Sequence, residues 1–105
     1  MGKRELWYFV LYRSTTDRRP AGIAVQGFDG TEGHGLIWSH RAGAWTYDPG
    51  GAGGWMTDNP DRSDEVTREE AERAAPIATG GQELPDEDTI WWIFQWKGEP
   101  PQNED

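Results

Sequence analysis

Residues 6–13, LWYFVLYR, are apolar on both sides of an extended chain. Side chains alternate across a strand, so Leu6, Tyr8, Val10 and Tyr12 share one face while Trp7, Phe9 and Leu11 share the other. Aromatic and β-branched residues favour strands. A strand apolar on both faces belongs inside a sheet rather than at its edge. The stretch TIWWIFQWK, residues 89–97, holds three of the seven tryptophans and reads the same way. Ile90, Trp92, Phe94 and Trp96 form a wholly apolar row, and Trp91, Ile93 and Gln95 a mixed one. The pattern predicts a last strand paired with the first at the sheet centre. Trp92, Phe94 and Trp96 are then core, and Trp91 is the residue whose exposure matters.

Between these stretches, Ile23 and Val25 outline a strand over residues 21–28, with Gly27 as a candidate bulge. Residues 36–40 and 44–47 form a hairpin about 41–43. Residues 48–64 read as one long irregular loop. A helix starts at Thr67, where TREE is a capping box: the Thr67 hydroxyl serves the Glu70 amide and the Glu70 carboxylate returns the bond. Pro76 disfavours helical geometry at Ala75, so the helix is expected to end near there or to be distorted. It is lined by Ala71, Ala74 and Ala75. The expected fold is α+β: a small, mostly antiparallel sheet of about five strands with one short helix packed on one face. Residues 1–98 form a single domain and 99–105 a flexible acidic tail. One short helix covers one face only, which leaves the other to curling, loops or another molecule. A partner interface, or a homodimer through the uncovered face, follows from that.

Composition narrows the function. The 105 residues carry a net charge of −9, and residues 58–88 alone hold eleven acids against three bases. Such a surface repels phosphate backbones, so no direct nucleic-acid binding is expected. A basic protein partner fits better. The absence of cysteine removes disulfides and thiol chemistry. The apolar run after Lys3 and Arg4 is short, aromatic and closed by Arg13, unlike an export signal or a membrane span, so a cytoplasmic protein is expected.

No catalytic constellation stands out. GGAGGW, residues 50–55, lacks the Lys-Ser/Thr ending of a phosphate-binding loop, and GTEGHG, residues 30–35, lacks a dinucleotide fingerprint. Both read as turns. His34 reads as a solvated loop residue and His40 as a hairpin residue, without the helical spacing of a zinc pair. Ser39 and His40 are adjacent on a strand and point apart. The dense acids of residues 58–88 are solvated, not tuned by burial. A non-enzymatic protein-interaction or accessory module without cofactor or metal is expected, such as an acidic inhibitory protein. Its candidate contacts are Trp91, Trp55 and Trp45, with Asp61, Asp64, Glu65, Glu69, Glu70 and Glu72. Two alternatives use the same residues. One is a carbohydrate or small-molecule domain built on Trp45 and Trp55. The other is a nucleic-acid mimic whose carboxylates line one surface.

Four stretches, WYFVLYRS, GAWTYD, VTREEAERAA and ELPDEDTI, cover 32 of the 105 residues. Together they resemble small uncharacterised proteins of actinobacteria and their phages. The excess of arginine over lysine agrees with a GC-rich host. The resemblance implies the α+β layout and a GC-rich host, while the small size, acidic surface and under-covered sheet point to an inhibitory protein of phage, antitoxin or immunity type. The resemblance supplies no site, because these motifs are structural and that group has no assigned activity.

Overall fold

The first strand, β1 (Glu5–Tyr12), takes the alternation read from its sequence, and the next three follow it as a meander: β2 (Pro20–Phe28), β3 (Gly33–Ser39) and β4 (Ala44–Tyr47). The computed structural model describes residues 3–51 and 58–98. A single 3₁₀ turn (Pro60–Arg62) leads into β5 (Ser63–Val66), followed by helices α1 (Arg68–Thr79) and α2 (Glu87–Gln95). The five strands form one antiparallel sheet in the order β4-β3-β2-β1-β5. The protein is α+β, and among the described residues both α1 and α2 stand where one short helix was expected.

Register fixes the faces. Tyr8 pairs with Val25 and Val66, Val25 with Leu36, and Leu36 with Tyr47. Leu6, Tyr8, Val10, Ile23, Val25 and Leu36 therefore share one face, and both helices pack there. α1 contributes Ala71, Ala74, Ala75 and Ala78, all buried, at the spacing that keeps side chains on one side of a helix. Its capping box forms as expected: Glu70 N–H donates to Thr67 Oγ1 at 3.1 Å, and Thr67 N–H to Glu70 Oε1 at 2.9 Å. The helix runs a turn beyond the predicted end. Pro76 lies inside it on the exposed side, so the Glu72 carbonyl that loses its donor lies on the water-facing side. Gly80, at φ 78°, closes the helix in the left-handed conformation glycine adopts without strain.

The largest correction concerns residues 89–97, which are helical. Pro85 and Asp86 decide it. The Asp86 carboxylate accepts the Thr89 N–H at 2.7 Å as the helix cap, and Glu87 and Asp88 occupy the first turn, where the helix dipole favours negative charge. At helical spacing Ile90 and Phe94 face the core, 0% and 1% exposed, whereas Trp92 and Trp96 stand outside at 47% and 38%. Only Phe94 of the three expected core residues is core. The fifth strand is the polar Ser63–Val66 segment, which pairs with the outer side of β1, so β2 occupies the sheet centre.

Gly27 is not a bulge; the irregularity in the β1–β2 ladder lies at Leu11/Tyr12. A β-carbon at Gly27 would stand 2.6 Å from Phe94 Cε2. The glycine makes room for the ring that seats α2. Arg68 fixes where α2 begins: its guanidinium donates to Tyr8 Oη at 3.0 Å, the Pro85 carbonyl at 2.9 Å and Glu72 Oε2 at 2.9 Å.

The opposite face of the sheet carries Trp7, Phe9, Leu11, Ala24 and Ile37, of which Leu11 and Ala24 are buried with Phe9 and Ile37 against them. Both α1 and α2 lie on the other side. Within the expected loop 48–64, residues 49–51 are helical, Asp48 Oδ1 accepts the Gly51 N–H at 2.8 Å, and the 3₁₀ turn and the start of β5 occupy residues 60–64. A β-carbon at Gly35 would stand 2.8 Å from Pro49 Cα, so the chain crosses close beneath β3 there. Residues 99–105, expected as a flexible tail, lie outside the described residues.

Candidate functional site

Among the described residues, the exposed side of α2 carries both exposed tryptophans. Helical spacing places Asp88, Trp92 and Trp96 in one row, each a turn apart, and all three are exposed. Asp86 and Glu87 precede them, also exposed. The bond from the Thr89 amide holds the Asp86 carboxyl below its usual pKa, so it is a fixed negative charge at neutral pH. The row is rigid because its underside is locked. Phe94 stacks on His34 with ring centroids 5.0 Å apart and meets Trp91 edge-on at 5.3 Å.

Trp91 is half-buried on the flank of this row, with the Arg4 guanidinium 5.0 Å from its ring centroid. Trp45 is half-buried too; it meets Trp38 edge-on at 5.3 Å and packs against the core. Neither is an open platform for a sugar. Trp55 lies outside the described residues.

The acidic candidates do not gather into one row. Asp64 and Glu65 point to opposite faces of β5. Asp64 pairs with Arg18 at 2.6 Å and accepts the Tyr12 hydroxyl at 3.2 Å. Glu70 closes the capping box and Glu72 pairs with Arg68. Asp61, Glu65 and Glu69 are exposed. A phosphate-like line of carboxylates across these six is not formed.

His34 is buried within β3, 6% exposed, not solvated in a loop. Its Nε2 lies 2.9 Å from Asp29 Oδ2 and its Nδ1 2.9 Å from Tyr47 Oη. A carboxylate only accepts, so Nε2 carries the hydrogen, and in the neutral ring Nδ1 accepts from the Tyr47 hydroxyl. The bond from His34, with the Glu32 and Thr31 amides, lowers the Asp29 pKa to about 2. Desolvation pushes the Tyr47 hydroxyl up, which keeps it protonated. Asp29, Glu32 and His34 place ligand atoms within 4.8 Å of one another and could hold a metal ion. An ion there has to displace the His34–Asp29 bond and compete with Lys97, 3.5 Å from Glu32. With both ring nitrogens engaged, the network fastens the β2–β3 turn to β4 beneath α2. His40 sits at the other end of β3, its Nε2 donating to the Ala21 carbonyl at 2.6 Å.

Sequence reasoning missed Trp92 and Trp96 as surface residues. The available signal was the Asp86-to-Thr89 cap, which calls for a helical period through the residues that follow. No helix among the described residues is long and apolar enough to cross a membrane. No known protein family, curated protein or solved structure matches the chain.

Proposed function

We propose that the chain is a non-enzymatic protein-interaction module of the accessory or inhibitory kind, which binds an arginine- or lysine-bearing face of another protein through α2. The observation that carries this reading is the exposure of Trp92 and Trp96 on one side of a helix whose other side is core. Tryptophan is enriched at interface hot spots, where it offers a large area at little cost in side-chain freedom. Covering the exposed parts of both indoles removes roughly 200 Å² from water, or about 5 kcal/mol. Association costs are of similar size, so the pair anchors an interface without carrying it alone. Asp86, Glu87 and Asp88 beside the indoles, and the net charge of −9, favour a cationic partner. Its arginines can lie over the indole faces and pair with the carboxylates.

Affinity capture with the wild type and with a Trp92→Ser/Trp96→Ser variant tests the reading. Each indole is more than half covered, at 47% and 38% exposure, so the variant is expected to melt at a lower temperature, and capture is run well below its unfolding transition. The wild type retains a specific protein that the variant loses, and the complex weakens with salt. A partner held equally by both proteins refutes the surface. Sedimentation equilibrium separates out self-association: a dimer abolished by the same substitutions makes the partner a second copy.

A further inference from the structure

Among the described residues, three metal-ligating side chains converge at one place only, about the β2–β3 turn, although the chain has nineteen acids. Asp29, Glu32 and His34 each bring a ligand atom within 4.8 Å of the other two. The imidazole sets this group apart from a cluster of solvated carboxylates. The His34 side chain is only 3% exposed, and its Nε2 meets Asp29 Oδ2 at 2.9 Å, itself one of the three ligand groups. Asp29 Oδ1 is committed elsewhere, to the Thr31 and Glu32 amides at 2.7 and 2.8 Å, so Oδ2 is the oxygen aimed at the ring. Tyr47, outside the ligand set, holds the other ring nitrogen. An outer partner of this kind fixes the ring of a metal-binding histidine.

Two ligand atoms bound to zinc at roughly 2.0–2.1 Å stand about 3.3 Å apart in a tetrahedron. The Nε2–Oδ2 gap of 2.9 Å therefore has to open by only about 0.4 Å for an ion to take the place of the shared hydrogen. Glu32 supplies the third ligand from an exposed side chain that can reorient. Its ion pair with Lys97, at 3.5 Å between exposed groups, costs little to break. We propose that Asp29, Glu32 and His34 bind a divalent transition-metal ion of the zinc type, with water in the fourth position. Binding moves the ring hydrogen from Nε2 to Nδ1, so the ring stays neutral, and Tyr47 Oη turns from donor to acceptor. A nitrogen ligand beside two carboxylates disfavours calcium and magnesium, which take oxygen. The site uses neither Trp92 nor Trp96, so this proposal and the reading of the α2 surface fail separately.

Isothermal titration calorimetry of zinc chloride into the chelator-treated full chain tests the assignment, beside Glu32→Gln and His40→Gln variants. Both substituted side chains are exposed, so metal-free melting temperatures close to that of the wild type are expected and checked first. A single zinc ion per chain is expected. Glu32→Gln is expected to weaken it by at least about tenfold, or 1.4 kcal/mol, and His40→Gln to leave it unchanged, with no competition from millimolar calcium. Heteronuclear NMR of the imidazole nitrogens is expected to show His34 passing from the Nε2–H to the Nδ1–H tautomer as zinc is added. No zinc binding at submillimolar concentration overturns the proposal. So does binding that Glu32→Gln leaves unweakened, or calcium binding as tightly as zinc. Binding lost with His40→Gln identifies an adventitious ion only and overturns it too. A His34 ring that keeps its Nε2 hydrogen with zinc bound removes the histidine from the site, and the proposal with it.

Discussion

Replacing Gly27 by alanine tests the seat of α2 directly. The new β-carbon stands 2.6 Å from Phe94 Cε2 and 3.1 Å from Leu6 Cδ2, well inside the roughly 3.5–4.0 Å at which carbon atoms attract. Gly27 is not among the positive-φ glycines, so backbone strain does not contribute and the effect is one of volume. Overpacking a filled core costs about 1–3 kcal/mol. Alanine also narrows the unfolded ensemble, which returns about 0.4–1 kcal/mol. The net loss is about 1–2 kcal/mol, a fall in melting temperature of roughly 5–15 °C for a chain of this size. Thermal unfolding followed by circular dichroism, with a urea titration as check, measures it. A Phe94→Leu background supplies the control, because the shorter side chain vacates the space. There Gly27→Ala is expected to cost close to nothing, giving a coupling of about 1 kcal/mol or more. An equal loss in both backgrounds refutes the packing of Phe94 on Gly27, and with it the placement of α2 on the sheet.

Two further outcomes follow from groups on the same side of the sheet. The Asp29 pKa is depressed from 3.8 to about 2 in the folded protein, so its contribution to stability is complete above pH 4 and drains away as pH falls towards 2; Asp29→Asn is expected to flatten that acid limb in a melting-temperature profile, and an unchanged limb refutes the link to His34. Thr67→Ala removes half of the capping box and is expected to cost about 1 kcal/mol in urea denaturation, with no loss if α1 is held by its alanine packing alone.

The meander was legible because its signals are local. β1 alternates, and Gly43, at φ 64°, marks the β3–β4 turn. The capping box at Thr67 needs only four residues. The C-terminal element was not legible from its own composition, because aromatic and branched residues favour strands as strongly as anything in Ile90–Phe94 favours a helix. What tips the balance lies upstream, in the Asp86 cap and two further acids, together with the Phe94–Gly27 fit across the fold. β5 escaped notice for the opposite reason: SDEV has almost no apolar signal, and its strand exists through backbone pairing with β1. The burial of His34 depends on Tyr47, thirteen residues away, and is not written in any short stretch.

The order of elements along the chain also bears on how the protein is made. Residues 5–47 complete four neighbouring strands through hairpins alone, contacts of short sequence separation that form early and fast. The cover for their most apolar side, Ala71 to Phe94, comes from the last third of the chain. During synthesis at about 5–20 residues per second, the nascent sheet therefore waits some seconds with Tyr8, Val10, Ile23, Val25 and Leu36 open to water and β1 still an unpaired edge. Occupying that edge falls to the acidic β5, the first piece of the later half to arrive, which blocks a foreign strand from adding before the helices close.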